Sequence, residues 1–249
     1  MSSISVEQIA EAPLFAGLPE SALREVLAYA FPVQTLRQNY IFHQGEPGDR
    51  FYHVLAGQVR LVQLGPEGHQ VTIRYVGPGD SIGVIVALSL SDYPLSAQAM
   101  TDAELLGWRA DDIGRLMETH PRLALNGMRL IGERFHDLQL RYRELATERV
   151  ERRVARALLR LARQAGRRVP EGVLLDLPLS RQDLGEMTGT TLYTVSRILS
   201  GWEEGGLILA GREQVIICNP HGLVAIAEDL TEPPDVSWPV LLHRQGLDS

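Results

Sequence analysis

Between residues 121 and 146, apolar side chains fall at Ala124, Met128, Ile131, Phe135, Leu138, Tyr142 and Leu145, in alternating steps of four and three. That is heptad spacing. Three heptads predict a two-stranded parallel coiled coil, hence a homodimer with Met128, Ile131, Phe135, Leu138, Tyr142 and Leu145 in its seam. The competing reading is one face of an amphipathic helix packed on its own core. Leu123 and Leu130 lie off the seam and are free to dock on the preceding domain. Upstream, Leu14, Phe15 and Leu18 precede Pro19 at a first helical turn, and Leu23, Val26, Leu27 and Ala30 make a helical stripe.

From Val33 to Arg109 the period changes to short alternating runs broken by Gly45, Gly48, Gly57, Gly65, Gly68, Gly77, Gly79 and Gly83, which predicts a small β-barrel or roll. Val59 and Leu61 alternate on one side of a Pro66-Glu67-Gly68 turn, and Val71, Ile73 and Tyr75 on the other, as in a hairpin. After the seam, Val150, Val154, Ala157, Leu158, Leu161 and Ala165 line one face of a further helix that should stop at Gly166. Its other face carries Arg149, Arg152, Arg153, Arg156, Arg160 and Arg163, expected to be solvated, with some reaching phosphate.

The most specific stretch is 180–203. Ser180 and Asp183 are spaced to satisfy free backbone donors at a helix start, with Leu184 and Met187 as that helix's apolar side. Gly189 supplies a turn without a Cβ penalty, and Thr190 or Thr191 can cap a second helix. Val195, Ile198, Leu199 and Trp202 would anchor this second helix. The opposite face, Thr191, Tyr193, Thr194, Ser196, Arg197 and Ser200, is left free to read something, as in a helix-turn-helix. Apolar strand-like runs at 173–177 and 207–218, the second broken by Gly211, flank it and complete a winged helix. The tail from 228, with Pro233, Pro234 and Pro239, has no periodic pattern.

Charge sharpens this picture. The net charge of −7 opposes indiscriminate nucleic-acid binding, yet residues 121–227 carry a net +4 against −7 for 1–120 and −4 for 228–249. Phosphates respond to local basic surface within a Debye length of about 8–10 Å, so the positive balance sits where a nucleic acid would need it. Every one of the 24 basic residues is arginine, a habit of composition before one of function. A single cysteine, Cys218, excludes an internal disulfide and cannot ligate an iron–sulfur cluster. No apolar run is long enough for a membrane span, and Glu7 and Glu11 stand where a signal peptide would be basic and then apolar, which predicts a cytoplasmic protein.

The run Thr194-Val195-Ser196-Arg197-Ile198-Leu199 is similar to the reading-helix pattern of the CRP/FNR family of bacterial transcription regulators, and the resemblance extends from about residue 14 to 220. It implies an α+β architecture: an N-terminal β-roll sensor domain (1–120), a dimerisation helix (121–147), a C-terminal winged helix-turn-helix domain (148–227) and a tail (228–249). It also implies double-stranded DNA, a second copy of the chain and RNA polymerase as partners. The two reading helices would then lie about 34 Å apart on a near-palindromic site. The residue matching Arg197 contacts a guanine in that family, and those matching Arg181, Gln182, Thr191 and Thr194 touch phosphates. Two positions depart from the pattern: Tyr193 replaces a base-reading glutamate, and Leu192 stands where some members carry another arginine.

In cyclic-AMP-binding members the roll holds ribose with a Gly-Glu pair, phosphate with an Arg-Ser pair and the base with two hydroxyl residues. Here those positions are Gly83 and Val84, Leu95 and Ser96, and Leu138 and Gln139. Burying a phosphate against Leu95 with no cation would cost several kcal/mol, so the resemblance implies an unknown small effector other than cyclic AMP, suited to an apolar or planar pocket. Some family members use haem to sense CO or NO. His43, His53, His69, His120 and His136 are the available axial ligands, none singled out by spacing. No His pair, Walker loop, nucleophile elbow or Ser–His–Asp arrangement supports an enzyme, and no metal site is expected. The remaining alternative is a ligand-independent DNA-binding or interaction protein whose roll is only a scaffold.

Overall fold

The computed structural model describes residues 5–65, 70–89, 92–211 and 214–230. The Pro66-Glu67-Gly68 turn, His69 and the tail beyond 230 fall outside them. The chain divides into two compact units, Met1–Leu140 and Arg141–Ser249.

In the first unit, helices α1 (Glu7–Ala10) and α2 (Glu20–Ala28) lead into two four-stranded sheets. One is ordered β1 (Phe31–Thr35), β8 (Ala103–Arg109), β3 (Arg50–Ala56), β6 (Ser81–Ile82); the other β2 (Tyr40–Phe42), β7 (Ser96–Ala99), β4 (Val59–Leu64), β5 (Gln70–Val76). Val54, Val59, Val76, Ile82 and Leu105 fill one core, with Phe42 stacked on Tyr93 at 3.9 Å. A second core joins the helical lead-in to the roll through Leu14, Phe15, Val26, Phe51 and Trp108. The Trp108 indole N–H, which no buried site can leave unmatched cheaply, donates to Val26 O at 2.8 Å. The helix predicted to begin at Pro19 starts one residue later, with Pro19 as its N-cap.

The β4–β5 alternation departs from the sequence reading. The register shifts between Leu61 and Val62, so that Val62 opposes Thr72 while Leu61 opposes Arg74. This bulge buries Val62 rather than Leu61 and leaves Val71 exposed, because one extra residue exchanges inward and outward positions. Two helices carried no periodic signal strong enough to read, α3 (Val84–Ser89) and α4 (Ala110–Thr119).

Helix α5 (Pro121–Thr147) belongs to the first unit through Leu140. Leu123 is buried, and Leu130 and Ile131 pack against the second core. Asn126, only 4% exposed, donates to Leu14 O and Ala16 O at 2.9 Å and so fastens the lead-in to the helix. Met128, Phe135, Leu138, Tyr142 and Leu145 stand 47–75% exposed.

The second unit holds α6 (Val150–Ala165), α7 (Arg181–Thr188), α8 (Leu192–Glu204), α9 (Pro220–Glu228) and a sheet ordered β11 (Ile208–Gly211), β12 (Gln214–Ile217), β10 (Gly172–Leu175), β9 (Gly166–Val169). Gly166 ends α6 as expected, in extended rather than left-handed backbone, because it opens β9. Val154, Ala157, Leu158 and Leu161 are fully buried. Among the described residues no helix is long and apolar enough to cross a membrane.

Candidate nucleic-acid interface

The start of α7 is a reciprocal cap. Asp183 N–H donates to Ser180 Oγ and Ser180 N–H donates to Asp183 Oδ2, both at 3.0 Å, while the Ser180 hydroxyl donates to the same carboxylate oxygen at 2.6 Å. Gly189 closes the helix at φ +61°, the left-handed region where a side chain would be strained. Thr190 N–H returns to Gly185 O at 2.9 Å, an approach that a Cβ on Gly185 would block, since it would stand 2.9 Å from Thr190 O. The turn therefore depends on two glycines, one for its dihedral angles and one for its thinness.

Thr191 caps α8, accepting from Thr194 N–H at 3.2 Å, and the two hydroxyls share a further bond at 3.1 Å. Val195, Leu199 and Trp202 are buried, and Ile198 half-buried. The Trp202 indole N–H reaches Glu151 Oε1 at 3.1 Å. This anchoring holds Tyr193 outward at 82% exposure, along with Arg197 and Ser200. Ser196 is half-buried at the edge of that face. Arg181 and Gln182 are exposed on the first turn of α7, where Gln182 donates to Glu186 at 3.1 Å. A cleft of about 550 Å³ runs between the α7 start, α8 and the β11–β12 wing, lined among others by Arg181, Gln182, Leu192 and Gly211. Neither Arg181 nor Arg197 makes a side-chain hydrogen bond or ion pair with the described residues.

The α6 arginines are not the solvated row expected of them. Arg160 meets both Glu144 oxygens at 2.8–2.9 Å, and Arg156 joins Glu148 at 3.0 Å and Glu228 at 2.9 Å. Arg153 donates to the carbonyls of Glu148, Thr188 and Gly189, which ties α6 to the turn between α7 and α8. Only Arg149 and Arg163 of the six are exposed. Sequence spacing could not show this, because the acids that bind them come from α9 and from the segment before α6.

The positions that the resemblance implies for an effector pocket are distributed as follows. Gly83 adopts φ +75°, and Val84 is buried in the core with Phe51 and Trp108. Leu95 is half-buried. Ser96 is fully buried, its hydroxyl accepting from Gln44 N–H at 2.9 Å. Leu138 and Gln139 are exposed on α5. Of the histidines, His53 is fully buried, bonded through Nδ1 to Ser81 Oγ at 3.1 Å and packed edge-on to Phe15. Burial pushes its pKa down to about 4, against the pull of Asp80. His43 stacks on Tyr40, His120 pairs with Glu25, and His136 is exposed on α5. Among the described residues no group of three or more His, Cys, Asp or Glu is disposed to hold a metal ion.

One charged residue went unread. Arg134 lies four residues after Leu130, on the side of α5 that faces the first unit, and it donates to Ser81 O at 2.5 Å. Its i, i+4 relation to Leu130 was the available signal, masked by the seam residue Phe135 beside it.

The sequence profile of the Crp-like helix-turn-helix domain matches residues 152–226, and that of the cyclic nucleotide-binding domain matches 32–120. The global nitrogen regulator of Synechocystis sp. is 30% identical over 197 residues, covering 78% of this chain and 86% of that protein. The cyclic AMP receptor protein of Thermus thermophilus is 32% identical, covering 80% and 89%. Among solved structures, FixK2 from Bradyrhizobium japonicum superposes with a TM-score of 0.70 at 25% identity, covering 79% of this chain and 96% of that one.

Proposed function

The chain belongs to the CRP/FNR family of DNA-binding transcription regulators, and from that premise we propose that it acts as a homodimer on a near-palindromic site under the control of a small effector other than cyclic AMP. It is a regulator and not an enzyme. The observation that carries the DNA reading is the outward row of α8, where Arg197 is exposed and uncommitted on a helix whose caps and anchors are complete. A guanidinium on a helix in the major groove can donate two bonds to one guanine edge. Arg181, Gln182, Thr191 and Thr194 are assigned to phosphates, and Tyr193 and Ser196 to the groove beside Arg197. RNA polymerase is the expected protein partner.

What supports the dimer is the exposed apolar row Met128, Phe135, Leu138, Tyr142 and Leu145, which a second copy of α5 would cover. Ile131 is shared between that seam and the core of its own unit. What supports an effector other than cyclic AMP is chemical: Val84 is sealed in the core where a ribose ligand would have to stand, and the buried Ser96 hydroxyl is already occupied by Gln44. A protein whose roll is merely a scaffold would bind DNA equally well with or without any small molecule.

The test is sedimentation and DNA titration of Phe135→Glu with Leu138→Glu. These positions leave the unit's own core untouched. A folded monomer with specific affinity weakened at least about a hundredfold is expected, since each half-site alone supplies too few contacts. An unchanged dimer would remove the seam.

A further inference from the structure

Tyr193, 82% exposed, is the most exposed large apolar side chain among the described residues, and it makes no hydrogen bond or ring contact with them. Phe135, Leu138 and Tyr142 belong to the row assigned to a second copy of α5; Tyr193 stands on a different helix and has no such explanation. Single exposed aromatics are ordinary on a protein surface, and what sets this one apart is its neighbours. It occupies the first turn of α8, four residues before Arg197 and on the same face. Leu192 beside it is 38% exposed and lines the cleft with Arg181 and Gln182. The two threonine hydroxyls of this turn are bonded to each other at 3.1 Å, and Thr191 also caps the helix. The first turn therefore presents mainly apolar surface, while Val195, Leu199 and Trp202 already anchor the opposite side.

The N-terminal residues of a reading helix are those that contact base edges. An apolar side chain set against a base donor or acceptor strips its water and returns no hydrogen bond. The C5-methyl of thymine is the one apolar group on the major-groove edge, and it is the group such a side chain can cover without that cost. We infer that Tyr193, supported by Leu192, packs on this methyl, so that each half-site carries a thymine within about two base pairs of the guanine assigned to Arg197. Four residues of helix advance about 6 Å, against about 3.4 Å per base pair. A glutamate at this position would instead accept from the cytosine amino group, so the residue in place of it changes the sequence selected. This rests on the reading of α8 as the recognition helix, and names what that helix selects besides guanine.

Selection from a random duplex pool with the full-length protein yields the site, and binding titrations then exchange each selected thymine for uracil, which lacks only the methyl. At one position per half-site, uracil should cost about fourfold in affinity, the worth of roughly one buried methyl. The same exchange should cost Tyr193→Ala nothing further. It should cost Tyr193→Phe as much as wild type, because the ring and not the hydroxyl makes the contact. Tyr193→Glu should move the selected base at that position from thymine to cytosine. Each of these variants changes an exposed side chain, and circular dichroism melts check that it folds. Uracil tolerated at every position, a uracil penalty that Tyr193→Ala retains in full, or one that Tyr193→Phe abolishes would overturn the inference. The regulator reading survives all three outcomes if the selected site keeps a guanine that Arg197→Ala no longer distinguishes. A pool from which no sequence is enriched overturns both.

Discussion

The arginines of α6 and those of α7 and α8 share one residue type and one structural unit, yet they are spent in opposite ways. Arg153, Arg156 and Arg160 are consumed by carbonyls and carboxylates of their own unit, whereas Arg181 and Arg197 are exposed and uncommitted. A positive count along the sequence therefore overstates what a phosphate would meet. The lesson is that charge available for recognition is set by which cations the fold leaves unmatched, and on α6 Arg152, which donates to Ala227 O, is used up in the same way as Arg153, Arg156 and Arg160.

The largest expected effect comes from breaking the committed set. Glu144 is 7% exposed and holds Arg160 through both oxygens, so Glu144→Ala should cost about 2–3 kcal/mol of stability by leaving a half-buried guanidinium uncompensated. Urea unfolding followed by circular dichroism reads this, and DNA affinity per folded molecule should not change. Equal stability of variant and wild type would mean that the α6 arginines are as dispensable as a surface row.

Next is Arg197→Ala, which should cost about 1–3 kcal/mol per half-site in specific binding while leaving the urea midpoint where it was, because Val195, Leu199 and Trp202 are untouched. The comparison that matters is between the cognate site and one with the half-site guanine replaced. Loss of the same size on both would show that Arg197 is not a base reader.

The smallest effect belongs to Arg181→Ala. As a phosphate contact it should weaken binding alike on all sequences and lower the slope of log K against log salt by about 0.9 per subunit. A sequence-dependent loss would move Arg181 from the phosphate class to the base-reading class.

Much of this was legible in the sequence because its determinants are local. The Ser180–Asp183 cap, the Gly189 turn and the Thr191 cap each involve residues no more than five apart, and the structure forms all of them. The heptad row is legible for the same reason: Met128, Phe135, Leu138, Tyr142 and Leu145 are exposed along α5, while Ala124 and Ile131 pack against the second core. What stayed hidden was non-local. The partners of Arg156 include Glu228, 72 residues away, and Ser81 lies 53 residues before Arg134. The β4–β5 bulge was illegible too, since Val59, Leu61 and Val71 satisfy an alternating pattern that only the register of the partner strand interrupts. Helix α9 escaped because its apolar residues, Leu223, Val224, Ile226 and Ala227, crowd together with no polar face to mark a period.

Trp108 and Trp202 were described as packing residues, one in each unit, each with its indole N–H tied to a specific acceptor, Val26 O or Glu151. They are also two built-in fluorophores. With Trp238 and either of the pair replaced by phenylalanine, the emission of the survivor reports one unit alone, shifting red as water reaches the ring. The chain thus carries its own means of timing whether its two units loosen together or one ahead of the other.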